Sequence, residues 1–160
     1  MKALIFVDVK KCLGCRSCEI ECAVSHSISK ELLKAIKEIP SPQHRIRLES
    51  LEGFSIPLHC RHCEAAPCIQ ACPTKAIKRD NIDAPVVIDG NVCVGCSSCV
   101  IVCPFGIPRL SKDGKVVIKC DLCMERLASE EEPACVVACP TGALKFKIIG
   151  NSFLCHCEER

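Results

Sequence analysis

The stretch Cys93-Val94-Gly95-Cys96-Ser97-Ser98-Cys99-Val100-Ile101-Val102-Cys103-Pro104 sets four thiols at the spacing C-x-x-C-x-x-C-x-x-x-C and stops on a proline. A tight loop with this spacing wraps three thiolates around three irons of a cubane, and the cysteine four residues further on is aimed elsewhere. The pattern occurs three more times. Cys12, Cys15, Cys18 and Cys22 repeat it unchanged, whereas Cys60, Cys63, Cys68 and Cys72 widen the second gap to four residues, and Cys120, Cys123, Cys135 and Cys139 widen it to eleven. Sixteen of the eighteen cysteines are thereby used. A [4Fe–4S] cluster takes four thiolates, so the expected cofactor content is four [4Fe–4S] clusters. Zinc is disfavoured because a tetrahedral ion needs two C-x-x-C pairs, whereas groups one and three present a third cysteine two residues on. No ligand place holds histidine, which excludes a Rieske-type site.

The rest of the composition agrees. Trp and Tyr are missing and Phe occurs five times, so the side chains that usually dominate a core are scarce and the clusters are expected to fill that space. The formal charge of +2 becomes about −6 once sixteen thiolates and four oxidised cores are counted. That removes the support for nucleic acid as a partner. The 21 Lys and Arg read instead as neutralisation of buried anionic clusters and as a docking surface. No apolar run approaches the roughly 18 residues of a membrane span. The short apolar stretch Ala3 to Val7 does not make a signal-peptide core, so the expected location is the reducing cytoplasm, where thiols stay free for metal and disulfides do not form a framework.

Each cysteine group follows a short apolar strand-like run, at 3–9, 54–58, 85–89 and 115–119. Three groups close with Cys-Pro and a returning strand, at 76–78, 107–109 and 143–146. The module is strand, ligand loop, short helix and strand, with the proline turning the chain back. Cys22 is followed by Ala23 and by an insertion, residues 23–58. There Ser29 is placed to cap a helix running to Ile39, with Leu32, Leu33, Ile36 and Ile39 on one face. A hairpin follows, from Arg45 to Glu49, through Glu52-Gly53, to Phe54 to Leu58. This insertion reads either as a lid over the cluster lobes or as a partner-docking element. In two-cluster ferredoxins the fourth cysteine of each motif ligates the other cluster, so every group needs a partner group.

Groups two and three are close in sequence, which leaves groups one and four to pair. The resulting sets are Cys60, Cys63, Cys68 with Cys103; Cys93, Cys96, Cys99 with Cys72; Cys12, Cys15, Cys18 with Cys139; and Cys120, Cys123, Cys135 with Cys22. Sequential pairing would keep four clusters and change their order. The expected fold class is α+β. Two nested bacterial-ferredoxin-like (βαββαβ-type) units share one small domain: an outer unit of 1–22 and 115–147, the helix and hairpin insertion 23–58, an inner unit of 59–114, and a tail of 148–160.

Gly14 and Gly95 precede the second cysteine of their groups, where His62 and Leu122 stand in the other two. Different access of backbone N–H groups to sulfur there predicts four different potentials. His59 and His62 read as groups packed over a cluster or bonded to a sulfur. No nucleotide-binding or nucleophile motif occurs, so no catalytic residue is expected. Cys155-His156-Cys157 reads as free thiols or a small metal site.

With these residues in view, the chain resembles the four-cluster ferredoxin-like electron-transfer subunits that accompany larger redox enzymes. The closest likeness is to the small iron–sulfur subunit associated with nickel CO dehydrogenase. It is carried by Lys11 to Glu19, Ala23 to His26, Cys60 to Glu64, Ala66-Pro67-Cys68, Cys103 to Gly106 and Lys119 to Cys123. It also looks like subunits of tungsten aldehyde oxidoreductase, formate dehydrogenase and hydrogenase. The resemblance implies the nested ligand sets, a non-catalytic role, and a large catalytic partner (nickel, tungsten or molybdenum enzyme, or hydrogenase). It also implies a flavoprotein or ferredoxin acceptor and anaerobic metabolism; as a departure from larger relatives, the short stretch after group four gives the expectation of no membrane-anchor docking segment. The rival expectations are a free soluble polyferredoxin and a zinc-stapled scaffold.

Overall fold

The computed structural model describes residues 2–149; the tail residues 150–160, with Cys155, His156 and Cys157, lie outside the described residues. Among those described, the elements are β1 (Lys2–Val7), α1 (Ser17–Ser25), α2 (Leu32–Ala35), β2 (Arg47–Leu51), β3 (Phe54–Leu58), α3 (Pro67–Gln70), β4 (Ile77–Lys78) and β5 (Val87–Ile88). They continue with α4 (Ser98–Ile101), β6 (Arg109–Leu110), β7 (Val117–Ile118), α5 (Met124–Ala128), α6 (Ala134–Val137) and β8 (Leu144–Ile149). The protein is a small domain of mixed helices and strands, as the α+β expectation required. No helix among the described residues is long and apolar enough to cross a membrane.

All four sheets are two-stranded and antiparallel. β1 pairs with β8 from Lys2 opposite Ile149 to Val7 opposite Leu144, which joins the segment before group one to the segment after group four. β4 pairs with β5 between groups two and three. Two complete βαββαβ units would also pair the strand before group two with the strand after group three. Instead β3 pairs with β2 in the insertion hairpin, and β6 pairs with β7. Two-residue ladders such as β4–β5 and β6–β7 have no independent stability in water. What surrounds them is a pair of small cores in which cysteine is a principal apolar residue. One gathers Ile5, Cys18, Cys22, Ile46, Cys120, Leu122, Cys135 and Leu144; the other gathers Ala66, Ile77, Val86, Cys99 and Val117. α1 packs on α6, and α3 on α4.

The hairpin of the insertion forms as expected, and Glu19 ties it down. That buried carboxylate accepts the Leu48 amide at 2.7 Å and the Arg16 guanidinium at 2.9 Å. The helix expected from Ser29 to Ile39 is a single turn. Ser29 does not cap it; α2 starts after Glu31 with no side-chain cap. Instead the Glu38 carboxylate accepts the amides of Ile28 and Ser29, and Lys30 turns in the left-handed region at φ 53°. Lys37 and Glu38 donate to carbonyls three residues back, to Lys34 and Ala35, the tightening that ends short helices. Only Ala35 is buried, while Leu32, Leu33, Ile36 and Ile39 are exposed. Without a surface to bury that face, a longer helix has nothing to stabilise it.

Candidate functional site: four cysteine sets

The four ligand loops share one backbone turn. The residue before the second cysteine lies in the left-handed region every time: Gly14 at φ 71°, His62 at 47°, Gly95 at 66° and Leu122 at 62°. Such a turn points successive N–H groups into the loop, which suits an anionic centre. The third cysteine is then the second residue of a helix in each group: Cys18 in α1, Cys68 in α3, Cys99 in α4 and Cys135 in α6. Where Pro73, Pro104 and Pro140 follow the fourth cysteine, the helix is one turn long and stops. The chain then reverses through Lys75, Gly106 and Gly142, each at positive φ and each donating its amide to the carbonyl of the fourth cysteine. α1 lacks that proline and runs on to Ser25.

The thiols meet across groups. Cys12, Cys15, Cys18 and Cys139 line one cavity, closed by Leu48 and Pro57 of the hairpin. Cys60, Cys63, Cys68 and Cys103 line a second, with His62, Phe105 and Lys119. Cys135 is pushed far above the usual thiol range, first by burial and then by the charges of Cys120, Cys22 and Cys123. Cys96 lies near enough to Cys72 for the two charges to oppose one another. The Cys120 thiol, driven up to about 12 by burial, also feels Cys22 and Cys60, so two sets adjoin there. None of the sixteen is in a disulfide.

Donors surround the sulfurs. The Arg45 amide reaches Cys22 Sγ at 3.1 Å, the Val117 amide Cys93 Sγ at 3.4 Å and the His62 amide Cys60 Sγ at 3.4 Å. The hydroxyls of Ser17 and Ser98 lie 3.4 Å and 3.5 Å from Cys15 and Cys96. Cys72 and Cys139 sit below the usual thiol range despite some burial, because backbone N–H groups of their return strands, led by Ile77 and Leu144, bond the sulfur. Burial holds Cys18 and Cys99 up at about 11. Thiols so raised stay protonated at neutral pH unless a metal takes the proton's place. Four-thiol pockets ringed by N–H and O–H donors fit [4Fe–4S] clusters.

Several residues at the site carry no signal in the cysteine pattern. The Arg79 guanidinium donates to the carbonyls of His62 at 3.1 Å, Cys63 at 2.5 Å and Glu64 at 3.2 Å, bracing the second ligand loop. Asp121, held well below the carboxylate range although burial opposes it, accepts from His26 at 3.1 Å and from Arg45. His26 rises to about 9 against its own burial because Asp121 and Cys22 accept from it. His59 and His62 are anchors: His59 Nε2 donates to Ile5 O at 3.0 Å, and His62 Nδ1 accepts the Val86 amide at 2.9 Å. The tautomer this requires leaves N–H on His62 Nε2, which is buried without a partner on a ring that lines the Cys60 cavity. Lys119 is buried too. Strand alternation from buried Val117 was the signal that could have found it.

Fold and site define an iron–sulfur electron-transfer protein that holds [4Fe–4S] clusters. The chain belongs to the 4Fe-4S dicluster domain family, whose pattern matches residues 51–149. It is 39% identical over 154 residues to an "Iron-sulfur protein" of Rhodospirillum rubrum, covering 89% of this chain and 80% of that one. It is 38% identical over 146 residues to the thiosulfate reductase electron transfer subunit PhsB of Salmonella typhi, covering 91% and 75%. It is 33% identical over 153 residues to the iron-sulfur subunit of the nitrate-inducible formate dehydrogenase of Escherichia coli (strain K12), covering 88% of this chain and 52%, about half, of that subunit. None of these three names mentions CO dehydrogenase, and the Cys12 to Cys22 group lies outside the matched segment.

Proposed function

We propose that this chain is a non-catalytic cytoplasmic relay subunit with four [4Fe–4S] clusters, held by the four nested cysteine sets. The observation that carries the reading is the gathering of Cys139 with Cys12, Cys15 and Cys18, and of Cys103 with Cys60, Cys63 and Cys68, around separate cavities. The cubane, when bound, accepts and returns one electron at low potential. The chain's own residues do the rest. The left-handed turns aim N–H groups, the returning strands bond Cys72 and Cys139, and the two small cores keep water from the inner sulfurs. Exposure orders the path: Cys15 and Cys96 are exposed, whereas Cys22, Cys120, Cys123 and Cys135 are buried. Electrons therefore enter or leave at the Cys15 and Cys96 ends and cross the interior between Cys120 and Cys60.

The partner is the catalytic subunit of a nickel CO dehydrogenase, a tungsten or molybdenum enzyme, or a hydrogenase, with a flavoprotein or ferredoxin at the other end. Support comes from relatives named as the electron transfer subunit of a thiosulfate reductase and the iron-sulfur subunit of a formate dehydrogenase and from Leu32, Leu33, Ile36 and Ile39, all exposed on the insertion, as a docked rather than shuttling protein presents. The test is metal analysis of the complex purified anaerobically at native abundance. Iron near sixteen atoms per chain together with nickel, tungsten or molybdenum is expected. Iron alone refutes a catalytic metal partner, and iron near eight refutes four clusters.

A further inference from the structure

Lys119 is the one lysine buried among the described residues, at 4% exposure. Its Nζ donates to Cys120 O at 2.9 Å and to Val86 O, and lies 3.6 Å from Cys60 Sγ. No carboxylate of the described residues pairs with it. It shares the cavity of Cys60, Cys63, Cys68 and Cys103, and its backbone leads directly into Cys120, a ligand of the adjoining set. Two carbonyls do not compensate a buried ammonium. A thiolate-ligated cluster does, because that site carries net negative charge that grows by one unit on each one-electron reduction.

We propose that Lys119 is the counter-charge of the Cys60, Cys63, Cys68, Cys103 site, raising its reduction potential above the other three and making it the electron sink at the junction of the relay. This rests on the four-cluster reading. The ammonium stabilises the added electron by charge alone. No bond forms or breaks, no proton moves, and the electron comes from the relay or, in a titration, from dithionite. The unpartnered N–H of His62 Nε2 on the same cavity wall adds a second donor, and the neighbouring positive charges come from Arg79 and Arg61.

The test compares Lys119→Met and Lys119→Arg with the unaltered full chain, reconstituted anaerobically. Iron per chain and the four midpoints are read by EPR-monitored redox titration. Lys119→Met at full iron is expected to shift one reduction equilibrium at least tenfold toward oxidised, 59 mV for a one-electron couple, and to leave three unmoved; Lys119→Arg restores most of the shift. Four unmoved midpoints, or four moved alike, overturn the proposal while leaving the clusters in place. Iron well below sixteen in the unaltered chain overturns the four-cluster reading instead. Should Lys119→Met lose iron, pulsed EPR of the reduced, unaltered chain labelled with [ε-15N]lysine decides. A nitrogen coupled to the highest-potential cluster alone is expected, and the absence of any coupled nitrogen overturns the assignment.

Discussion

Replacing Gly95 by alanine separates two demands on a ligand turn, the left-handed backbone and the space inside it. Left-handed geometry by itself costs an L-residue about 1 to 2 kcal/mol, and the protein accepts that cost at His62 and Leu122, with φ 47° and 62°. At Gly95, however, an added Cβ would lie 2.8 Å from Lys115 O and 2.9 Å from Gly114 O, both backbone atoms. Those carbonyls cannot withdraw freely. Gly114 donates to Ser111 O at 2.9 Å, the Ser111 hydroxyl donates to Val116 O at 2.8 Å, and the Val117 amide beyond them reaches Cys93 Sγ at 3.4 Å. Overpacking against fixed atoms adds about 1 to 3 kcal/mol. At Gly14 the same Cβ would meet the Ser55 side chain, its Cβ at an ordinary 3.6 Å and its hydroxyl at 2.9 Å, and the hydroxyl can rotate aside. Gly95→Ala is therefore expected to destabilise the cluster-loaded protein by roughly 2 to 5 kcal/mol and Gly14→Ala by about 1 to 2 kcal/mol. Anaerobic urea titration followed by loss of the visible cluster absorbance, with iron counted at each step, measures both. Equal midpoints for the two variants would refute the argument from space.

Cys22→Ser is expected to alter the same EPR signal as Cys120→Ser and a different one from Cys12→Ser; sequential pairing of the groups would instead make it alter the signal that Cys60→Ser alters. Arg79→Met removes the donor to three carbonyls of the Cys60 loop and is expected to cost about 1.5 to 3 kcal/mol, as for hydrogen bonds from a charged group, seen as faster iron loss to a chelator. The pH dependence follows from two buried neutral rings. Burial, reinforced by Arg61, lowers His59 to about 4; burial, reinforced by Lys119 and His59, lowers His62 to about 3. Both values lie below the unfolded 6.5, so this stability is fully present above pH 6.5 and is lost as pH falls toward 4 and then 3. Each ring contributes a slope of up to about 1.4 kcal/mol per pH unit. Urea midpoints between pH 7.5 and 5 should fall, with a shallower fall in His59→Gln; a flat profile refutes the assignment.

Ligand-loop chemistry and the meeting of the chain's two ends were legible, and the pairing of the short inner strands was not. The cysteine spacing located the ligand turns because each turn is made within four residues, and the prolines after Cys72, Cys103 and Cys139 marked where the short helices stop. Gly14 and Gly95 pointed to the turn, but the same left-handed backbone at His62 and Leu122 carried no sequence signal, since neither residue favours it. The β6–β7 pairing was hidden for a different reason. Two residues a side hold too little apolar pattern to choose a partner, so the sulfur-lined cores around them choose. The helix expected from Ser29 to Ile39 shrinks to one turn because the face of Leu32, Leu33, Ile36 and Ile39, legible in the apolar periodicity, is exposed and only Ala35 goes inside. Arg79 and Glu19 were invisible because each is defined by backbone groups far along the chain.

Those misses share a physical origin in what this fold lacks without iron. The small cores count Cys18, Cys22, Cys99, Cys120 and Cys135 among their buried residues. Burial holds Cys18 and Cys99 at about 11 and Cys120 at about 12 and pushes Cys135 higher, so these four thiols are neutral at neutral pH, whereas Cys22, whose ionisation burial also opposes, is drawn below the usual thiol range by His26 and the Arg45 amide. In the proposed sets, cluster binding would convert those thiols to thiolates, fill the volume between them, and link segments as distant as Cys12 and Cys139. Its free energy is then folding free energy. The exposed Cys15 is drawn below the usual thiol range chiefly by the Ser17 hydroxyl, and the exposed Cys96 by that of Ser98. The exposed sulfurs are thus eased toward the thiolate by neighbouring hydroxyls, whereas burial opposes ionisation of Cys18, Cys99, Cys120 and Cys135. On the proposed four-cluster path every electron crosses between Cys120 and Cys60, and an interior whose Cys120 and Cys135 thiols resist ionisation unless iron binds them would leave water little reason to enter that crossing.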